Sequence, residues 1–194
     1  MTVPETDLER RAAAWIAPYG QAAHLVRARE WVVALEPGAS EALRLAALTH
    51  DIERMFPGGP EDDKAGGDWV NPDYLFAHST RSGDIVRWWI TQTAPEREPA
   101  FGAHVRRLIQ LHELGGEPEA DVLQAADSLS WFETLAPLAI GWVASGTTTL
   151  AHARAKLQWM GDRIRHEPAR ALAGPLLAGA LERLDLSQRE EIPQ

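Results

Sequence analysis

"LTHDIERMF", residues 48–56, sets a histidine directly before an aspartate, His50-Asp51, at the end of an apolar helical run. Alone, an acidic side chain beside an imidazole at a helix end is ordinarily solvated. Successive residues on a helix stand about 100° apart, so both side chains can still reach one centre. The sequence on either side of the pair is helical in its apolar spacing nearly throughout. Upstream, residues 6–17 read as a first helix with Thr6 or Asp7 as cap and Pro18-Tyr19-Gly20 as stop. Residues 21–35 form a second, ended by Pro37-Gly38, and Ser40 caps a third that runs to about Met55. Downstream, "PGGPEDDKAGGDWVNP", residues 57–72, is a loop by composition. A loop this long inside a compact domain is more often functional than idle, and its Gly-rich part, residues 57–68, is a candidate lid beside His50-Asp51.

After Asn71-Pro72 the helical spacing resumes through "DYLFAHSTRSGDIVRWWITQ". Residues 100–114 give another helix, stopped by Gly115-Gly116, and residues 118–133 another, starting at Pro118. Further helices occupy roughly 134–144, 148–165 and 168–185, with Pro137 and Pro175 near starts or at kinks. No run keeps a period of two, so the expectation is an all-α, single-domain helical bundle.

The composition narrows the function. A net charge of −9 argues against long nucleic acid and anionic lipid as partners. Handling a phosphate would then need a metal or a few local arginines. The chain has no cysteine, which excludes disulfides, thiolate metal sites and a cysteine nucleophile. No apolar signal core and no segment of transmembrane length is found, so a soluble cytoplasmic protein is expected. Oligomeric state is not legible.

Seven histidines need accounting. His104, His152 and His166 read as surface or hydrogen-bonded residues, the last two among arginines and a lysine that disfavour a cation site. His24 lies mid-helix on the face of Ala28 and Trp31. His78 lies in the helix after the loop, and His112 closes a helix just before Gly115-Gly116. Asp127 sits among apolar neighbours, where a carboxylate is costly unless paired or metal-bound. Together His24, His50, Asp51, His78, His112 and Asp127 draw on five helices. Imidazole and carboxylate suit zinc, iron, manganese and related divalent ions, and six donors suit two ions, with Asp51 as the bridging ligand.

The order H…HD…H…H…D resembles the HD superfamily of metal-dependent phosphohydrolases, over roughly residues 21–133. His24, His50, Asp51 and Asp127 match its minimal single-ion set, and His78 and His112 match the extra histidines of its dinuclear branch. On this resemblance residues 1–194 form one HD-type domain, with the C-terminal helices, about 134–186, appended to the ligand-bearing core. Many members carry a lysine three residues after the HD pair. Arg54 stands there in this chain, and Ser128 stands where many relatives have an arginine after the last aspartate.

The resemblance implies hydrolysis of a phosphate ester or anhydride of a small molecule or nucleotide by attack of a metal-bound hydroxide. Asp51 and Arg54 would serve catalysis, and Arg54 and Arg81 would contact substrate. Arg81 follows His78 by three residues and shares its face. Glu53 reads as a surface residue, and Lys156 is a further candidate cation for which a solvated lysine is the better reading. Most tryptophans fall on core stripes, and one or two would wall the pocket. The ligand set fits two other functions equally: a di-iron oxygenase of the same superfamily, and a metal-containing sensor of a small phosphorylated ligand.

Overall fold

The computed structural model describes residues 5–60 and 70–190. Among these, nine α-helices and one 3-10 turn account for the regular structure, and there is no strand. The order is α1 (Asp7–Ile16), α2 (Ala22–Leu35), α3 (Glu41–Thr49), the 3-10 turn (Ile52–Met55), α4 (Pro72–Thr93) and α5 (Pro99–Leu111). There follow α6 (Pro118–Thr134), α7 (Ala136–Ala144), α8 (Leu150–Asp162) and α9 (Glu167–Glu190). Residues 61–69, which hold most of the candidate lid and its Asp62-Asp63 pair, lie outside the described residues.

Local chemistry sets the helix starts. Thr6 and Glu9 form a capping box on α1, and the Ser40 hydroxyl accepts from the Leu43 amide of α3. Asn71 caps α4, and prolines open α4, α5 and α6, where a missing N–H costs nothing. Glycine ends the α5 segment: Gly115 has φ of 64°, a left-handed turn that L side chains rarely adopt.

The central element is α6. Every residue from Val122 to Phe132 is buried, so this helix is covered on all sides. Leu123 and Ala126 join a core with Leu25, Val32, Leu43, Val86 and Ile109. Leu129 and Phe132 join a second with Leu157, Met160, Ile164 and Leu184. Full burial of side chains such as Leu129 or Phe132 contributes about 1.5–3 kcal/mol each. Because α6 is shared, the three helices after it, α7, α8 and α9, are packed onto the N-terminal bundle and not strung after it.

The third helix differs from expectation. It ends at Thr49, with His50 as its C-cap, and Asp51 (φ −102°, ψ 11°) leads into the 3-10 turn. Similarly α5 ends at Leu111 with His112 as its C-cap. Pro175 is accommodated within α9, which reaches Glu190. No helix among the described residues is long and apolar enough to cross a membrane.

Candidate metal centre

The six residues singled out by sequence meet in one buried place. His24 comes from α2, His50 and Asp51 from the end of α3, His78 from mid-α4, His112 from the end of α5, and Asp127 from mid-α6. His50, His78 and His112 are fully buried, and His24, Asp51 and Asp127 nearly so. Imidazole rings run in a chain from His24 to His50 (5.2 Å between centroids), His112 (4.9 Å) and His78 (5.5 Å).

Each ring is turned by a hydrogen bond on its outer nitrogen. Helix ends leave carbonyls without intrahelical partners. His50 Nδ1 donates to the Ala47 carbonyl at 3.0 Å and His112 Nδ1 to that of Ile109 at 2.6 Å. His24 Nδ1 donates to Ser130 Oγ at 2.9 Å, whose own proton goes to the His24 carbonyl. His78 Nδ1 donates to Glu53 Oε1 at 2.9 Å. With Nδ1 committed outward, all four Nε2 atoms face inward, as outer partners of metal-bound histidines arrange. Among the described residues, the buried Nε2 atoms of His24, His50 and His112 meet no hydrogen-bond partner.

The spacing fits coordination. Two donors each about 2.1 Å from an ion, at octahedral or tetrahedral angles, stand roughly 3.0–3.4 Å apart. Asp127 Oδ1 lies 3.1 Å from His24 Nε2 and 3.4 Å from His50 Nε2. Asp51 Oδ1 lies 2.8 Å from His78 Nε2 and 3.7 Å from His112 Nε2. Asp51 groups with His24 and His50 on one side and with His78 and His112 on the other. The buried His/Asp groups can therefore hold metal ions, and Asp51 is the residue common to both ends.

Electrostatics keeps the donors charged or chargeable. Burial pushes the Asp51 carboxyl up, but Arg54, His78 and His50 outweigh it and hold Asp51 well below the usual carboxylate range. Asp127 is likewise held low against burial by Arg163, His24 and His50. Burial opposes charge on His50, yet Asp127 and Asp51 raise its pKa to about 9. In the metal-free protein at neutral pH His50 thus carries a proton on the nitrogen a metal would use. Metal binding is expected to release that proton, so apparent affinity should climb as pH rises toward about 9. Calorimetric titration with Zn²⁺ in buffers of different ionisation enthalpy measures the release; an affinity independent of pH would refute it.

Several residues lie elsewhere than the sequence suggested. Glu53 is buried at 2% exposure and orients His78; it is no surface residue. Arg81 donates to the Pro57 carbonyl at 2.8 Å and approaches Glu53 Oε2 at 3.4 Å. It stands behind the partner of His78 and not on the wall of the adjoining cleft. Arg54 does line that cleft, donating to the Tyr74 hydroxyl at 2.8 Å with Nε 3.4 Å from Asp51. The cleft is also bounded by Gln21, Asp51, Tyr74, Leu75, Glu113, Trp131, Leu135, Trp142 and Lys156. Lys156 is therefore a half-buried wall residue, which corrects its reading as a solvated lysine. Trp131 and Trp142 supply the aromatic wall, whereas Trp88 is 64% exposed and outside the core.

Two residues had no sequence signal. Arg163, at the C-cap of α8, pairs with both Asp127 and Glu113 and donates to Ser128 Oγ at 2.9 Å. Glu113 presents its other oxygen 3.5 Å from His112 Nε2. The partners of Arg163 lie 35 to 50 residues away in the chain, beyond any local pattern.

Fold and site together define an all-α protein with a buried histidine–aspartate cluster able to hold metal ions. No family model matches the chain, and neither a curated protein nor a solved structure matches it.

Proposed function

We propose that the chain is a metal-dependent phosphohydrolase of the HD superfamily, using two divalent ions on a phosphate ester or anhydride of a small molecule or nucleotide. The observation that supports this most is the convergence of four inward Nε2 atoms and two carboxylates beside a cleft that also bears Arg54 and Lys156. His24, His50, His78, His112, Asp51 and Asp127 would hold the ions, Asp51 being shared between the His24/His50 and His78/His112 groups. When bound, divalent ions lower the pKa of a coordinated water and polarise phosphoryl oxygens. The protein's own share is positioning. Arg54, fixed by Tyr74 and Asp51, can fork two bonds to phosphoryl oxygens. Many HD proteins carry an arginine directly after the last aspartate. Here Ser128 takes that position and receives Arg163 from α8, so a guanidinium still steadies Asp127. The net charge of −9 disfavours long polyanions, which leaves small phosphates.

The test is release of orthophosphate by protein loaded with Mn²⁺, Fe²⁺ or Zn²⁺ from a panel of phosphomonoesters and nucleotides. Oxygen consumption by the iron form, with no phosphate released, would replace this reading with an oxygenase. Arg54→Ala is expected to lower kcat/KM by an amount worth about 2–3 kcal/mol while metal content stays at the wild-type level. Arg54→Lys should recover part of it. Unchanged kcat/KM in the alanine variant would remove Arg54 from the substrate contacts.

A further inference from the structure

We infer that Lys156 is the specificity-determining cation of the cleft, receiving the phosphate of a monoester whose organic group is apolar and lies against Trp131 and Trp142. This rests on the phosphohydrolase reading and names the substrate class of the same site.

The chain uses arginine almost everywhere it needs a cation. Of 19 basic residues only Lys64 and Lys156 are lysines, and Lys64 lies outside the described residues. Lys156 lines the same cleft as Asp51 and Arg54. Its Nζ stands 4.3 Å from the Trp159 ring, which the Arg163 guanidinium also covers at 4.7 Å, so the aromatic surface positions both cationic head groups. Burial draws the ammonium down to about 8, so it remains largely charged at neutral pH. On the wall, Asp51 and Glu113 are matched in charge by Arg54 and Lys156. Divalent ions in the cluster would leave the cleft positive, which suits a dianion more than a diester's single charge.

Apart from Gln21 and Tyr74, the rest of the wall is apolar. Trp131, Trp142, Leu75 and Leu135 line the cleft, Trp131 mostly buried and Trp142 partly open, and an aromatic or aliphatic group can pack against them. Trp131, Trp142 and Lys156 come in turn from α6, α7 and α8. Recognition thus falls mainly to the C-terminal half, while all six proposed metal donors come from α2 through α6.

The experiment is acetylation of the native, metal-loaded full chain, with Lys64 as internal reference and mass spectrometry as readout. Phenyl phosphate is expected to slow acetylation of Lys156 roughly tenfold relative to Lys64, and glycerol phosphate to protect less at equal concentration. Equal rates with and without phenyl phosphate would overturn the inference, whether or not any variant folds. Lys156→Met should raise KM for phenyl phosphate roughly tenfold at wild-type metal content, with Lys156→Arg recovering part. An unchanged KM would also overturn it. Protection of Lys156 without phosphate release would uphold the anion site and sink the hydrolase reading. Phosphate release with Lys156 unprotected would sink this inference alone.

Discussion

Asp51→Ala and His50→Ala are each expected to abolish bound metal and turnover together. Asp51 is common to both ends of the cluster, and His50 Nε2 faces inward beside Asp127. Loss of an outer partner of a metal ligand already costs about 10–100-fold in affinity or activity. Loss of a donor itself should exceed that, and loss of the shared carboxylate most of all. Elemental analysis after dialysis, paired with a phosphatase assay, makes the comparison. Either variant retaining wild-type metal and activity would show that the His50-Asp51 pair is not the metal site. The folded state is expected to survive both changes, because the surrounding core, Leu25, Leu45, Ile52 and Leu123, is untouched.

Arg163→Met should produce the largest loss of stability. It strips the guanidinium from two buried carboxylates, Asp127 and Glu113, which are only 5% and 8% exposed. Breaking a buried ion pair from one side costs about 3–5 kcal/mol, since the remaining charge stays desolvated. For a chain of this size that corresponds to a fall in Tm of roughly 10 °C in the metal-free protein. Bound divalent ions supply positive charge near Asp127, so the deficit should shrink when metal is added. Thermal unfolding of both proteins with and without Zn²⁺ reads this directly. An equal deficit in both states would mean that Arg163 acts only as a structural clamp, independent of the metal cluster.

The parts of this site that sequence exposes and hides differ for physical reasons. His24 and Asp127 stand out because each is a polar group among apolar neighbours on a helix, where it needs a partner. The starts of α1, α3, α4 and α6 are legible because Thr6, Ser40, Asn71-Pro72 and Pro118 cap helices by local chemistry. Glu53 is hidden because apolar spacing continues through to Met55, whereas the α-helix stops at Thr49. The 3-10 turn that follows advances about 120° per residue and brings Glu53 to His78. Lys156 and Arg163 are hidden because their surroundings are made by tertiary packing of α8 on α6 and α9. Arg81 shows how spacing alone leaves a side chain's partners open. Its spacing from His78 is right for a shared face, but Glu53 and the Pro57 carbonyl take its guanidinium.

The most direct test of the account is the metal content of the purified wild-type protein. The protein is equilibrated with Mn²⁺, Fe²⁺ or Zn²⁺, freed of loose ions and analysed for metal per chain. Two ions per chain for at least one of these metals, absent in Asp51→Ala, is the predicted result. A folded wild-type protein that holds none of them would contradict it, and would reduce the four inward histidines and two aspartates to a buried hydrogen-bonded cluster.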